Sequence, residues 1–223
     1  PQALIELDNL ENLAQLARWG DGTLNMVALS ANGRLAAAAS SLGIYLYDAA
    51  TLQQIDFIET DNYIDRVRLS PDATLLAAVT WENTIKVWSL AGVNESGCPQ
   101  DGCPLVFTLE GHESTVNDVT FAPGGRSLAS ASADGTLRLW NLENGAQIRG
   151  RIAEMAGHEN GATTLAFSPD GSLLASGDNA GTLRLWASRT GELLQELHAH
   201  EGMLVNLAFS PTGALLASVG IDE

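Results

Sequence analysis

The sequence predicts an all-β fold assembled from repeated four-stranded units, and three observations carry that expectation. One segment type recurs along the chain, its short apolar stretches alternate with period two, and turn-forming residues separate them. No apolar stripe of helical period runs through the repeats, and the few helix-compatible residues lie near Leu10–Leu16.

The repeat is plainest in its third and fourth copies. Gly111-His112 leads to Val119-Thr120-Phe121-Ala122-Pro123, then Ser127-Leu128-Ala129-Ser130, then Asp134-Gly135-Thr136-Leu137-Arg138-Leu139-Trp140. Gly157-His158 leads through Leu165-Ala166-Phe167-Ser168-Pro169-Asp170-Gly171 and Leu174-Ala175-Ser176 to Gly181-Thr182-Leu183-Arg184-Leu185-Trp186. The residue before each Ser-Pro-like turn is Leu29, Leu69, Phe121, Phe167 or Phe209, at intervals of 40, 52, 46 and 42. Those intervals fit the ~40–45 residue period of a propeller blade, with one insertion in the 52-residue unit. A His stands nine residues before this anchor at 112, 158 and 200, a Ser nine after it at 130, 176 and 218, and a Trp nineteen after it at 88, 140 and 186.

Taken in order, an N-terminal segment (1–20) precedes unit 1 (21–60), where Tyr47 replaces the Trp. Unit 2 (61–110) carries the insertion 91–104, and units 3 (111–156) and 4 (157–199) are complete. Unit 5 (200–223) keeps His200, Ser218 and Asp222 and stops after its second strand. In each unit Leu137-type alternation marks a strand, and Ser168-Pro169-Asp170-Gly171 marks a turn. Pro169 fixes φ, Asp170 bonds its own backbone and Gly171 tolerates positive φ.

These signposts resemble those of the WD40-repeat β-propeller family over residues 11–223. The resemblance implies four full blades plus a partial fifth, an open arc of a ring of about seven. Asn12–Trp19 parallels Glu192–Ala199, an orphan outer strand, and the chain starts at Pro1 with no initiator Met and no basic-then-apolar leader. A piece of a longer propeller is therefore expected. The resemblance also implies a buried tetrad of His112, Ser130, Asp134 and Trp140, repeated as His158, Ser176 and Trp186 and, in part, as His200, Ser218 and Asp222. In the fourth unit Ala180 stands where Asp134 does. His158 is then expected to lack a carboxylate unless Asp178 reaches it from a different position, and Ala180→Asp is expected to raise the melting temperature. A catalytic triad would need an exposed nucleophile, so no catalytic residue is assigned.

Lys plus Arg number 11 against 27 Asp plus Glu, a formal charge of −16. That balance argues against nucleic acid, whose binding needs cations to displace phosphate counterions, and against anionic membranes. No apolar run approaches the ~20 residues of a bilayer span, so no membrane insertion is expected. His198 and His200 would share a strand face, but no third or fourth ligand follows, and no metal or cofactor is expected. Cys98 and Cys103 fit a short disulfide better than half a zinc site, which gives a lean toward an extracytoplasmic compartment. Asn94-Glu95-Ser96 fits a glycosylation sequon.

The turns joining strand d to a and b to c open on one face of such a disc. The first kind holds Tyr63, Thr115 and Met203, and the second Ser40, Trp81, Asn179 and Ile221. Tyr63 and Trp81 belong to one unit and should lie together, either as a binding hot spot or as local packing. The expected function is a non-catalytic scaffold binding another protein or peptide through this face, with Tyr63, Trp81, Thr115, Asn179 and Met203 as its candidate contacts. A sensor or targeting domain of a larger protein and a site in the central channel are the competing readings.

Overall fold

The computed structural model describes residues 22–61, 63–93, 97–98, 102–143 and 155–222, and among them there is no helix. The orphan strand expected at Asn12–Trp19, the helix-compatible Leu10–Leu16 and the sequon at Asn94 lie outside the described residues.

The strands form five antiparallel sheets in chain order. The first holds β1 (Leu24–Leu29), β2 (Leu35–Ser40), β3 (Gly43–Asp48) and β4 (Gln54–Glu59), and the second β5 (Ile64–Leu69), β6 (Leu75–Thr80), β7 (Ile85–Ser89) and β8 (Leu105–Leu109). The third holds β9 (Val116–Phe121), β10 (Ser127–Ser132), β11 (Thr136–Asn141) and β12 (Met155–Ala156). The fourth has β13 (Ala162–Phe167), β14 (Leu173–Asp178), β15 (Thr182–Ala187) and β16 (Glu192–His198), and the fifth β17 (Leu204–Phe209) with β18 (Leu216–Gly220). Strands β1, β5, β9, β13 and β17 lie side by side as the inner strands of successive blades.

The core lies between blades. Ala37, Ile44 and Leu46 of the first sheet meet Val67, Leu76 and Trp88 of the second. Val79, Ile85 and Val87 of the second in turn meet Val119, Leu128 and Trp140 of the third. The middle strands of the second and third sheets, which have a sheet on either side, are therefore covered on both faces, which alternation alone does not show: Arg138 and Trp140 are buried along with Leu137 and Leu139. Small residues make room for this. In β2, Ala36 to Ala39 are all fully buried: Ala37 and Ala39 lie against the second sheet, and Ala36 and Ala38 pack with Tyr45 and Tyr47 of β3.

Every inner strand bulges at its second residue. Leu24 pairs with Ser40 and Met26 with Ala39, leaving Asn25 as the extra residue. The same shift singles out Asp65, Asn117, Thr163 and Val205. A bulge re-aims its side chain, and here the new direction is the next blade. Asn25 Nδ2 donates to the Ile64 carbonyl at 2.7 Å, Asn117 Nδ2 to the Ala162 carbonyl at 2.7 Å, and Thr163 Oγ1 to the Leu204 carbonyl. Asp65 as a carboxylate has no proton to donate, and Arg66 Nε reaches the Asn117 carbonyl at 3.1 Å instead.

At the opposite end the turns joining first and second strands nest together. Gly171 sits at φ 70°, and a Cβ there would come within 3.4 Å of Pro123 in the preceding blade; Gly213 meets Pro169 in the same way. The second blade departs from this, with Ala73 held at φ 58° where the others place Gly.

Candidate functional site

The sequence draws attention first to the His, Ser, Asp and Trp positions, and their surroundings show what they do. Trp140 Nε1–H donates to Ser130 Oγ at 2.9 Å, and that oxygen lies 2.7 Å from His112 Nε2. The hydroxyl proton then serves Nε2, and Nδ1–H donates to Asp134 Oδ2 at 2.8 Å. Asp134 also accepts the amides of Glu113 and Thr136 and the Thr136 hydroxyl. Burial opposes charge on this carboxyl, but the hydrogen bonds from Thr136, His112 and Glu113 outweigh it and hold the group at about 2. Burial pushes His112 below its ordinary value, with Asp134 acting in the opposite sense. Ser130 is fully buried, so its oxygen is a structural acceptor with no access to a substrate.

The fourth blade builds the same chain differently. Trp186 Nε1–H donates to Ser176 Oγ at 2.8 Å, and Ser176 Oγ lies 2.6 Å from His158 Nε2. The carboxylate is Asp178, 2.9 Å from Nδ1, so of the two expectations for His158 the structure shows the one in which Asp178 reaches it from a different position. Asp178 is the last residue of β14, a position held by Ser40, Thr80 and Ser132 in the first three blades. Those hydroxyls organise the following turn, as when Ser132 Oγ accepts the Asp134 amide. Asp178 does both jobs, its Oδ1 accepting the Ala180 and Thr182 amides while Oδ2 faces the imidazole. Arg184 Nη1 lies 2.7 Å from His158 Nδ1 and 3.5 Å from Asp178, and Arg184 Nε pairs with Glu196 at 2.7 Å. In the fifth sheet His200 meets Asp222 and Ser218.

Two expectations need correction. Ser40 is the last residue of β2, 1% exposed, with its hydroxyl donating to the Gly43 carbonyl, so it is not a surface contact. His198 ends β16 whereas His200 lies beyond it, so the two imidazoles do not share a strand face; His198 approaches Glu201 at 3.8 Å instead. Among the described residues the one group of metal-ligand types within reach is Asp56, Cys98 and Cys103. Cys98 and Cys103 are joined in a disulfide, and Asp56 Oδ2 accepts the Cys98 amide at 2.6 Å.

The inner strands hold an ionic group that no single repeat unit discloses. Arg68 on β5 pairs with Asp118 on β9 at 2.9 Å, and the other Asp118 oxygen accepts the Leu165 amide on β13 at 3.3 Å. Burial raises the Asp118 carboxyl above its ordinary value, with Arg68 opposing that shift. This carboxylate ties three blades together, and its partners occupy it.

The face carrying the d–a and b–c turns has two exposed features. Thr115, Asn179 and Met203 line one cavity of about 400 Å³, together with Arg66, Asn117 and Thr163. Apart from it, Tyr63 and Trp81 meet in a tilted pair, with ring centroids 4.9 Å apart at 54°. Tyr63 is held by its hydroxyl, which donates to Asn25 Oδ1 at 2.6 Å, while Trp81 remains 71% exposed.

A sequence profile described as WD domain, G-beta repeat matches residues 53–89, 103–141, 150–187 and 191–223, more than half of the chain. Among curated proteins, the chain is 34% identical over 88 residues to the small ribosomal subunit protein RACK1y of Oryza sativa subsp. japonica, covering 39% of this chain and 23% of that protein. It is 38% identical over 74 residues to Lissencephaly-1 homolog 1 of Paramecium tetraurelia, covering 33% and 16%. It is 32% identical over 106 residues to transcription initiation factor TFIID subunit 5 of Arabidopsis thaliana, covering 41% and 16%. The matched part spans less than a quarter of the length of each of these relatives.

Proposed function

The chain belongs to the WD domain, G-beta repeat family, and from that premise we propose that it is a non-catalytic interaction module whose d–a and b–c face binds another protein or a peptide. The observation that carries this reading is the contrast between the two kinds of polar group. Ser130 and Ser176 are buried and engaged by Trp and His, so neither is available as a nucleophile. Thr115, Asn179 and Met203, by contrast, converge on one open cavity. Two relatives, a small ribosomal subunit protein and a subunit of TFIID, are by name components of larger assemblies, which favours the same role here. A fold hosts many functions, and the site rather than the fold points to binding.

The test is capture of the physiological partner by full-length protein carrying Met203→Arg and Asn179→Arg, with Arg189→Glu on the opposite face as control. The cavity pair should weaken binding by about tenfold or more, the effect of losing ~1.4 kcal/mol at an interface centre. Loss through Arg189→Glu alone would place the interface on the other face.

A further inference from the structure

The ring pair on the second blade has a chemistry that the general reading leaves open. Trp81 follows β6 in the b–c turn, and Tyr63 precedes β5 in the d–a turn. Because Ile64 pairs with Thr80, both turns leave the sheet at the same end. The Tyr63 ring is fixed by its hydrogen bond to Asn25 of the neighbouring blade, and Asn25 is itself fixed by the Ile64 carbonyl. Contact with this ring does not cover the indole, which stays 71% exposed. A large aromatic surface is left in water beside a partner that cannot swing onto it. The two rings, tilted by 54°, form an open wedge of which the Tyr63 side is fixed.

The turns around that wedge carry charge of one sign, and the nearest cations of the same blade, Arg66 on β5 and Lys86 on β7, lie on the strands rather than in the turns. On the described d–a and b–c turns there is no Lys or Arg, while Asp61, Glu82, Glu110, Glu113, Glu159 and Glu201 are exposed there. Asp61 shares the Tyr63 turn and Glu82 directly follows Trp81. The described arginines of the turns, Arg34, Arg126 and Arg189, all lie at the opposite end of the sheets. Strand cations are largely engaged: Arg66 bonds Asn117, Arg68 pairs with Asp118, and Arg184 with Asp178 and Glu196. An anionic segment would be repelled by this face and an apolar one would gain only from covering the indole, whereas a cation gains twice, from the carboxylate field and from the ring quadrupoles.

We infer that the Trp81–Tyr63 pair seats a Lys or Arg side chain from a basic, extended peptide segment of the partner. This rests on the proposed interaction face and goes beyond it by naming the chemistry of its occupant. The acidic turns raise the local concentration of such a segment, and the wedge selects one cationic side chain from it.

The test uses the full-length protein and a synthetic peptide, Ac-Gly-Lys-Gly-Arg-Gly-Lys-Gly-NH2, with a counterpart carrying Gln at the three cationic positions. The readout is the NMR shift of the Trp81 indole N–H on titration. The cationic peptide should move that resonance saturably and the Gln peptide should not. Trp81→Leu keeps apolar contact but removes the π face, and should weaken binding of the cationic peptide roughly fivefold to thirtyfold, with Trp81→Phe between the two. Affinity should also fall as salt is raised. Equal binding of the two peptides, or unchanged affinity in Trp81→Leu, overturns the inference. Partner capture separates this from the general reading. If Trp81→Leu leaves capture intact while Met203→Arg abolishes it, the cation seat is wrong and the face stands. If both variants capture the partner normally, both readings fail.

Discussion

The third and fourth blades close the same hydrogen-bonded chain with carboxylates two positions apart in the repeat. In the third, Ser132 organises the turn and Asp134 holds the imidazole; in the fourth, Asp178 at the Ser132 position does both and Ala180 is left with no acid to offer. Both positions flank the b–c turn, so a carboxylate from either reaches the same Nδ1. What is preserved is an acceptor in space, set by what a buried imidazole N–H requires.

The strongest way to break this equivalence is to remove the acid. Asp178→Ala strips a buried His158 of its partner, takes a counter-ion from Arg184 and frees two turn amides, and should cost about 3 kcal/mol by denaturant unfolding of the full-length protein. Asp134→Ala should cost less, about 2 kcal/mol, because among the described residues its ion-pair partner is His112 and not an arginine. If the two losses ranked in reverse, the double role of Asp178 would be wrong. Transplanting the third blade's solution sharpens the point. Asp178→Ser combined with Ala180→Asp should recover more than half of the loss, whereas Ala180→Asp alone should bring no gain, since His158 already has its carboxylate and a second acid would repel the first.

Acid probes both blades together. Burial holds His112 and His158 below their ordinary 6.5, so the unfolded chain binds more protons and stability is lost as pH falls through about 6.5. A second loss follows as pH drops from about 4 toward 2, because Asp134 is depressed to about 2 and its contribution is present only above the unfolded value. His158→Gln should make the slope between pH 7 and 5 shallower than in the parent, as seen in urea midpoints. The smallest effect belongs to the turns at the other end. Ala73→Gly puts the second blade's turn in line with the others and should raise stability by roughly 0.5 to 1 kcal/mol, read as a shift in the thermal midpoint.

Much of this architecture was legible because it is local. The Ser-Pro-Asp-Gly turns and the Trp, Ser and His offsets each lie within one unit and repeat, so a register built on Phe121 and Phe167 finds them. For the fourth unit that register offered Asp178 only as an alternative to a missing acid, because it counts positions and not the direction of a side chain. Arg68 and Asp118 escaped for another reason: they belong to different units, and nothing in either one announces a partner on the inner strand of the next blade. The bulge at Asn25, Asn117 and Thr163 was hidden because strand pairing, not residue type, decides which residue is left over. On the loop-bearing face, Tyr63 and Trp81 were placed together by their shared unit, while the cavity that gathers Thr115, Asn179 and Met203 depends on how three successive blades are juxtaposed.

The bulge has one more consequence. It takes a residue that the sheet cannot use and turns it into a fastening on the neighbouring leaf, so the fastening and the leaf are specified by different atoms. Asn117→Asp would slacken the coupling between the third and fourth leaves without removing a single ladder bond from either. In an array with mostly nearest-neighbour contacts, cooperativity can then be tuned one seam at a time, and a seam so weakened marks where the array would part first under load.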